Sequence, residues 1–66
     1  MWFIIRNYLI DNYAFGIEGY EIIDSFDSES EAVLESQKLN FNKESGEHYF
    51  VSEFSNWQEA EEWCKS

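Results

Sequence analysis

Residues 2–10, WFIIRNYLI, form the longest nearly continuous apolar run in the chain. Read as a strand, the run puts Trp2, Ile4, Tyr8 and Ile10 on one face, interrupted by Arg6. Phe3, Ile5 and Leu9 share the other, interrupted by Asn7. Apolar residues on both faces predict a strand with cover on both sides, or one whose second face meets a partner. Asp11 and Asn12 mark a turn. Residues 13–19, broken by Gly16 and Gly19, read as a long loop or an irregular hairpin extension. Residues 20–26, YEIIDSF, predict a second strand with Tyr20, Ile22 and Phe26 on one face and Asp24 as its odd polar member. A third strand covers residues 48–54, with His48, Phe50 and Phe54 on one face and Tyr49 and Val51 on the other.

Between the second and third strands the period changes from two to about 3.6. Ser28 is an N-cap, and Glu31 three residues on completes a capping box. Asp27, Glu29 and Glu31 complement the positive end of the helix dipole. The helix runs from residue 29 to 41 or 42, with Ala32, Val33, Ser36 and Leu39 on one face and Leu34 and Phe41 roughly opposite. A second helix begins at Ser55, which forms a capping box with Gln58. Trp57, Ala60, Trp63 and Cys64 lie on its apolar arc, and Gln58, Glu61, Glu62 and Lys65 on the polar one.

The order is β-β-α-β-α, an α+β fold in one domain spanning residues 1–66. A hairpin followed by a helical crossover brings the third strand parallel to the second, and the simplest right-handed solution sets it beside the first. The sheet order is then 2-1-3, an antiparallel-plus-parallel sheet with the opening run in the middle.

Size and charge narrow what such a domain does. At 66 residues the core is small. Cys64, the only cysteine, cannot form an internal disulfide, and one Cys with one His is a poor zinc set. Three Trp, four Tyr and six Phe are the compensation. Fourteen acidic side chains against four basic ones give a net charge of −10. That charge argues against direct nucleic-acid binding and against an anionic membrane surface. It favours a basic protein partner. A lone cysteine and an amino terminus without a basic leader predict a cytoplasmic protein.

No pattern in the chain points to a cofactor, a metal or catalysis. Asp24 and Glu35 have the spacing of first and twelfth calcium-loop ligands, but Phe26 and Glu29 occupy the third and sixth positions. His48 reads as a surface residue, Cys64 as a buried one, and Ser28 and Ser55 as caps. The candidate partner-binding residues are acidic: Asp24, Asp27, Glu29, Glu31 and Glu35 in one cluster, and Glu59, Glu61 and Glu62 in another. Neighbouring carboxylates on a helix stand roughly 5–6 Å apart, close to the phosphate spacing along a nucleic-acid strand. The plainer reading is solvated helix faces, though solubility alone needs a net charge of magnitude of only about 2–8. Leu34 and Phe41 add an apolar stripe that could hold a partner or a second copy of the chain.

The segment Phe-Asp-Ser-Glu-Ser-Glu-Ala at residues 26–32, followed by Leu39, Asn40 and a short strand, resembles many small orphan proteins of phages and mobile elements. Size and acidity are similar to those of anti-CRISPR and anti-restriction inhibitors. The resemblance implies a non-enzymatic inhibitor that occupies the basic nucleic-acid site of a host defence complex in the host cytoplasm. The alternative is an interaction or regulatory module, homodimeric through Leu34 and Phe41, whose charge serves only solubility.

Overall fold

The computed structural model describes residues 1–9, 18–43 and 46–65. Its elements are β1 (Trp2–Leu9), β2 (Glu18–Phe26), α1 (Glu29–Phe41), β3 (Glu47–Glu53) and α2 (Trp57–Lys65). The sheet order is β2-β1-β3, as the hydrophobic pattern predicts. Both neighbouring pairs are antiparallel. The parallel relation exists only between β2 and β3, with β1 between them. The expected end of the first strand at Ile10, the turn at Asp11 and Asn12 and most of the irregular stretch fall outside the described residues. Glu18 and Gly19, assigned from sequence to that stretch, instead open β2.

The two apolar faces of β1 receive separate covers, giving three layers with the sheet in the middle. Phe3 and Ile5 are fully buried in a cluster with Phe54 and Ala60, against which Tyr20, Ile22, Phe50 and Cys64 pack. This is the α2 face. Ile4 points the opposite way and is also fully buried. On that side lies α1, whose own buried residues are Ala32 and Ser36. Small residues let a helix approach a sheet closely, and the Ser36 hydroxyl is satisfied by donating to the Val33 carbonyl at 2.8 Å.

A β-bulge corrects one expected face. The β1–β2 register shifts between Ile4 and Ile5, so that Ile4 stands opposite Asp24 and Ile5 opposite Ile22. One extra residue, Ile23, is inserted on β2. Tyr20 and Ile22 therefore face α2, whereas Asp24 and Phe26 turn to the α1 face. The oddness of Asp24 in the period-two pattern is the sequence trace of that bulge.

Helix capping follows local chemistry. The Ser28 hydroxyl accepts from the Glu31 N–H at 3.5 Å, and α1 ends at Phe41 with Asn42 as C-cap. The N-cap of α2 differs from the sequence expectation. The Asn56 side chain, not Ser55, accepts from the Glu59 N–H, at 2.8 Å. Asparagine is at least as good an N-cap as serine, and the helix starts one residue later than Ser55 would set it.

Candidate functional site

Register decides which charges meet. Trp2 pairs with both Phe26 and Glu53, so the start of β1 and the ends of β2 and β3 share one end of the sheet. Both helices begin immediately after those strands. The first turns of α1 and α2 therefore lie at the same end, on opposite faces. Asp24, Asp27, Glu29, Glu31, Glu53 and Glu59 belong to that end, and all six are exposed. Two helix dipoles together contribute only about one positive charge there. The Met1 nitrogen is already donating to the Phe54 carbonyl at 3.0 Å.

The basic side chains are elsewhere. Lys38 and Lys65 sit in the last turns of their helices, and Lys43 follows α1. Arg6 is held at the middle of the α1 face. Its Nη1 donates to Glu21 of β2 at 2.9 Å and its Nε to Glu47 of β3 at 2.8 Å, with Nη2 also on Glu47. The guanidinium lies 4.5 Å from the centre of the Tyr8 ring. Hydrogen bonding to Glu47 and Glu21 raises the Arg6 pKa against a smaller opposing effect of burial. One cation thus ties the three strands together. The Tyr8 ring in turn lies over Gly19, where a Cβ would fall 2.6 Å from its Cζ.

The remaining predicted residues divide by helix. Glu35 is half-buried on α1, whereas Glu61 and Glu62 are exposed on α2. Because the helices cover opposite faces of the sheet, these two groups point to opposite sides of the molecule. The charge shared by both helices is at their N-terminal end. Glu53 belongs to it and was not among the residues expected from sequence, because only the strand register brings it there. Leu34 is 60% exposed and Phe41 90% exposed, on the side of α1 away from the sheet. With Gln37, Lys38 and Asn42 they line a shallow surface depression.

Other candidates resolve simply. Asp24 lies within β2 and Glu35 within α1, so only Asp27 and Ser28 between them are outside a strand or helix, and the interval is not a cation loop. Among the described residues no group of three or more His, Cys, Asp or Glu could hold a metal ion. His48 is exposed and stacks on Phe50 at 6.4 Å. Burial, with a smaller effect of Glu61, raises the pKa of the Cys64 thiol, the opposite of what activates a nucleophile. No helix among the described residues is long and apolar enough to cross a membrane. The chain matches no protein-family model, and no curated protein or solved structure is similar to it.

Proposed function

We propose that this protein is a non-enzymatic binding protein that presents carboxylates as a substitute for nucleic-acid phosphates on a basic site of another protein. The observation that carries this reading is the gathering of Asp24, Asp27, Glu29, Glu31, Glu53 and Glu59 at one end of the sheet with no Lys or Arg among them. Lys and Arg of the partner would pair with these groups, and the opposite charges would steer and hold the association at low salt. Glu35, or Glu61 and Glu62, extend the acidic surface along one helix or the other. A flat partner meets one of those extensions at a time. The resemblance to anti-defence inhibitors makes a nuclease effector complex the first partner to try, and the proposed setting is the cytoplasm of the host.

The test is competition. Immobilised protein should capture a basic nucleic-acid-binding protein at low salt and release it as salt rises, since salt screens exposed charge pairs. The captured protein's DNA or RNA should displace it. Glu29→Gln combined with Glu59→Gln should weaken capture while leaving the circular dichroism spectrum unchanged. Simultaneous binding of nucleic acid and this protein to one target would sink the reading.

A second reading, a homodimeric interaction module, is favoured by Leu34 and Phe41 alone. Their exposure on the outer side of α1 is large for apolar side chains in a domain this small. A mass that stays monomeric from low to high concentration removes it.

A further inference from the structure

The ladders fix which backbone groups of the sheet are already used. Met1 and Phe54 exchange hydrogen bonds in both directions, each at 3.0 Å. In an antiparallel pair such bonded positions alternate with non-bonded ones. The odd-numbered residues of β1 therefore bond β3, and the even-numbered ones bond β2. Opposite Phe3, Ile5 and Asn7 stand Ser25, Ile22 and Tyr20. These three residues of β2 direct their N–H and C=O groups outward, away from β1.

By the same logic Tyr49, opposite Arg6, directs its groups outward on β3. There the Asn40 carboxamide takes both, donating to the Tyr49 carbonyl at 2.8 Å and accepting from its N–H at 2.9 Å. The two edges are finished differently. A helix side chain closes β3 at Tyr49. On β2 the Asp24 carboxylate takes the Ser25 N–H at 2.8 Å, just past the bulge. The outward N–H and C=O groups of Tyr20 and Ile22 have no partner among the described residues.

Beside those groups the edge is shaped. A groove of about 300 Å³ separates β2 from α2, with Tyr20, Ile22, Trp57 and Cys64 as its apolar lining and Glu21, Glu61 and Lys65 as its polar members. A strand added to an open edge sends alternate side chains to opposite faces. Residues opposite Tyr20 and Ile22 would enter the groove. Those between them would emerge on the other face beside Glu21, which is half exposed, with Asp24 next along the strand. Arg6, the cation on that face, is already engaged by Glu21 and Glu47.

We propose that an extended segment of a partner protein, alternating apolar residues with Lys or Arg, adds to β2 as a fourth strand over residues 18–22 and sets its apolar side chains into the groove between β2 and α2. The charge at this edge also selects against self-addition. A second copy would bring Glu21 and Asp24 against carboxylates of its own β2, where like charges across a ladder destabilise it. This surface, over residues 18–22, adjoins the acidic end and shares only Asp24 with it; the proposal does not depend on the phosphate-substitute reading.

The probe is a seven-residue peptide of alternating valine and lysine, blocked at both ends, titrated into the isotopically labelled full chain. Amide shifts should map to β2 and to Trp57, Glu61, Cys64 and Lys65. Exchange of the Tyr20 and Ile22 amides should slow at least about tenfold at saturation, because they gain strand hydrogen bonds. The same peptide N-methylated at alternate residues keeps its charge and side chains but loses ladder bonds, and its affinity should fall about tenfold or more. Equal affinity for the methylated peptide would mean that charge alone binds it, and the proposal fails. It fails too if the shifts map to the acidic end, or if Tyr20 and Ile22 are already protected in the free protein because a second copy occupies the edge.

Discussion

The two faces of the sheet are covered by different chemistry, although one strand supplies the centre of both. On the α2 face, rings fill the space. Phe3 meets Phe54 and Trp57 edge to face at 5.8 and 5.2 Å, and Trp63 meets Tyr20 and Phe50 at 5.0 and 5.9 Å. Each such pair contributes about 0.5–1.5 kcal/mol beyond the area it buries. On the α1 face, Ile4 is the one fully buried large residue among those described, and Ala32 and Ser36 bring the helix to it. Further along that face Arg6, Tyr8, Glu21 and Glu47 make a polar layer in place of an apolar one. The difference teaches that a domain of this size need not build two equal cores. One aromatic core carries most of the stabilisation, and the other face is finished by close approach and hydrogen bonding.

The largest break in that comparison should come from Phe3. Phe3→Ala removes a fully buried ring and two edge-to-face contacts, and such truncations cost about 3–5 kcal/mol. At roughly 0.05–0.15 kcal/mol per residue a chain of this length holds only about 3–10 kcal/mol in all, so chemical denaturation should show a half or more of its stability lost. Ile4→Val on the other face should cost about 0.5–1.5 kcal/mol. Equal losses at the two positions would contradict the unequal division.

Asn40→Ala comes next. It strips two hydrogen bonds from the Tyr49 backbone and opens the β3 edge. A loss of about 1–3 kcal/mol is expected, with concentration-dependent aggregation that the parent lacks. Aggregation without a stability loss would mean that Asn40 acts on the edge alone. Gly19→Ala pushes the Tyr8 ring off the β2 backbone and away from Arg6, and should cost about 1 kcal/mol or somewhat more. Combined with Tyr8→Ala, the same substitution should cost markedly less than the two singles together, since the clash disappears. Simple additivity would show that the Tyr8 ring is not the obstacle. The smallest effect belongs to Phe41→Ser, which touches neither core and should change monomer stability by no more than about 0.5 kcal/mol. A larger fall that grows with protein concentration would point to a second copy on α1.

Much of this architecture is legible in the chain. The double-faced run, the change of period after Phe26 and the Ser28–Glu31 cap are local signals, and local signals survive without knowledge of partners. The sheet order followed from connection rules applied to them. What escaped depends on contacts between distant segments. The bulge at Ile23 left only the misplaced Asp24 as a trace, and Phe26 was assigned to the wrong face because of it. Asn56 displaced Ser55 as the α2 cap because two good capping residues stand side by side, and packing of Trp57 on Phe3 chooses the register. Arg6 looked like an interruption of an apolar face; its partners Glu21 and Glu47 come from other strands and become visible only when paired. The acidic residues were legible as clusters, whereas their meeting at one end, with Glu53 included, required the register.

The pairing of Met1 with Phe54 spans 53 residues and has a consequence in time. A chain made from its amino terminus presents β1 first and β3 among the last of its elements. The β1–β2 hairpin can close at once, but the other side of β1 must wait. During that interval Trp2, Phe3, Ile4 and Ile5 lie along an unfinished strand edge, and the face of Phe3 and Ile5 waits for α2, which follows β3 in the chain. Long-range closure of this kind slows folding relative to helical domains of similar size. The carboxylates made by then, Glu21 and Asp24 on β2 and Glu29, Glu31 and Glu35 on α1, set like charge beside that edge, and like charges disfavour its pairing with the same segment of another chain.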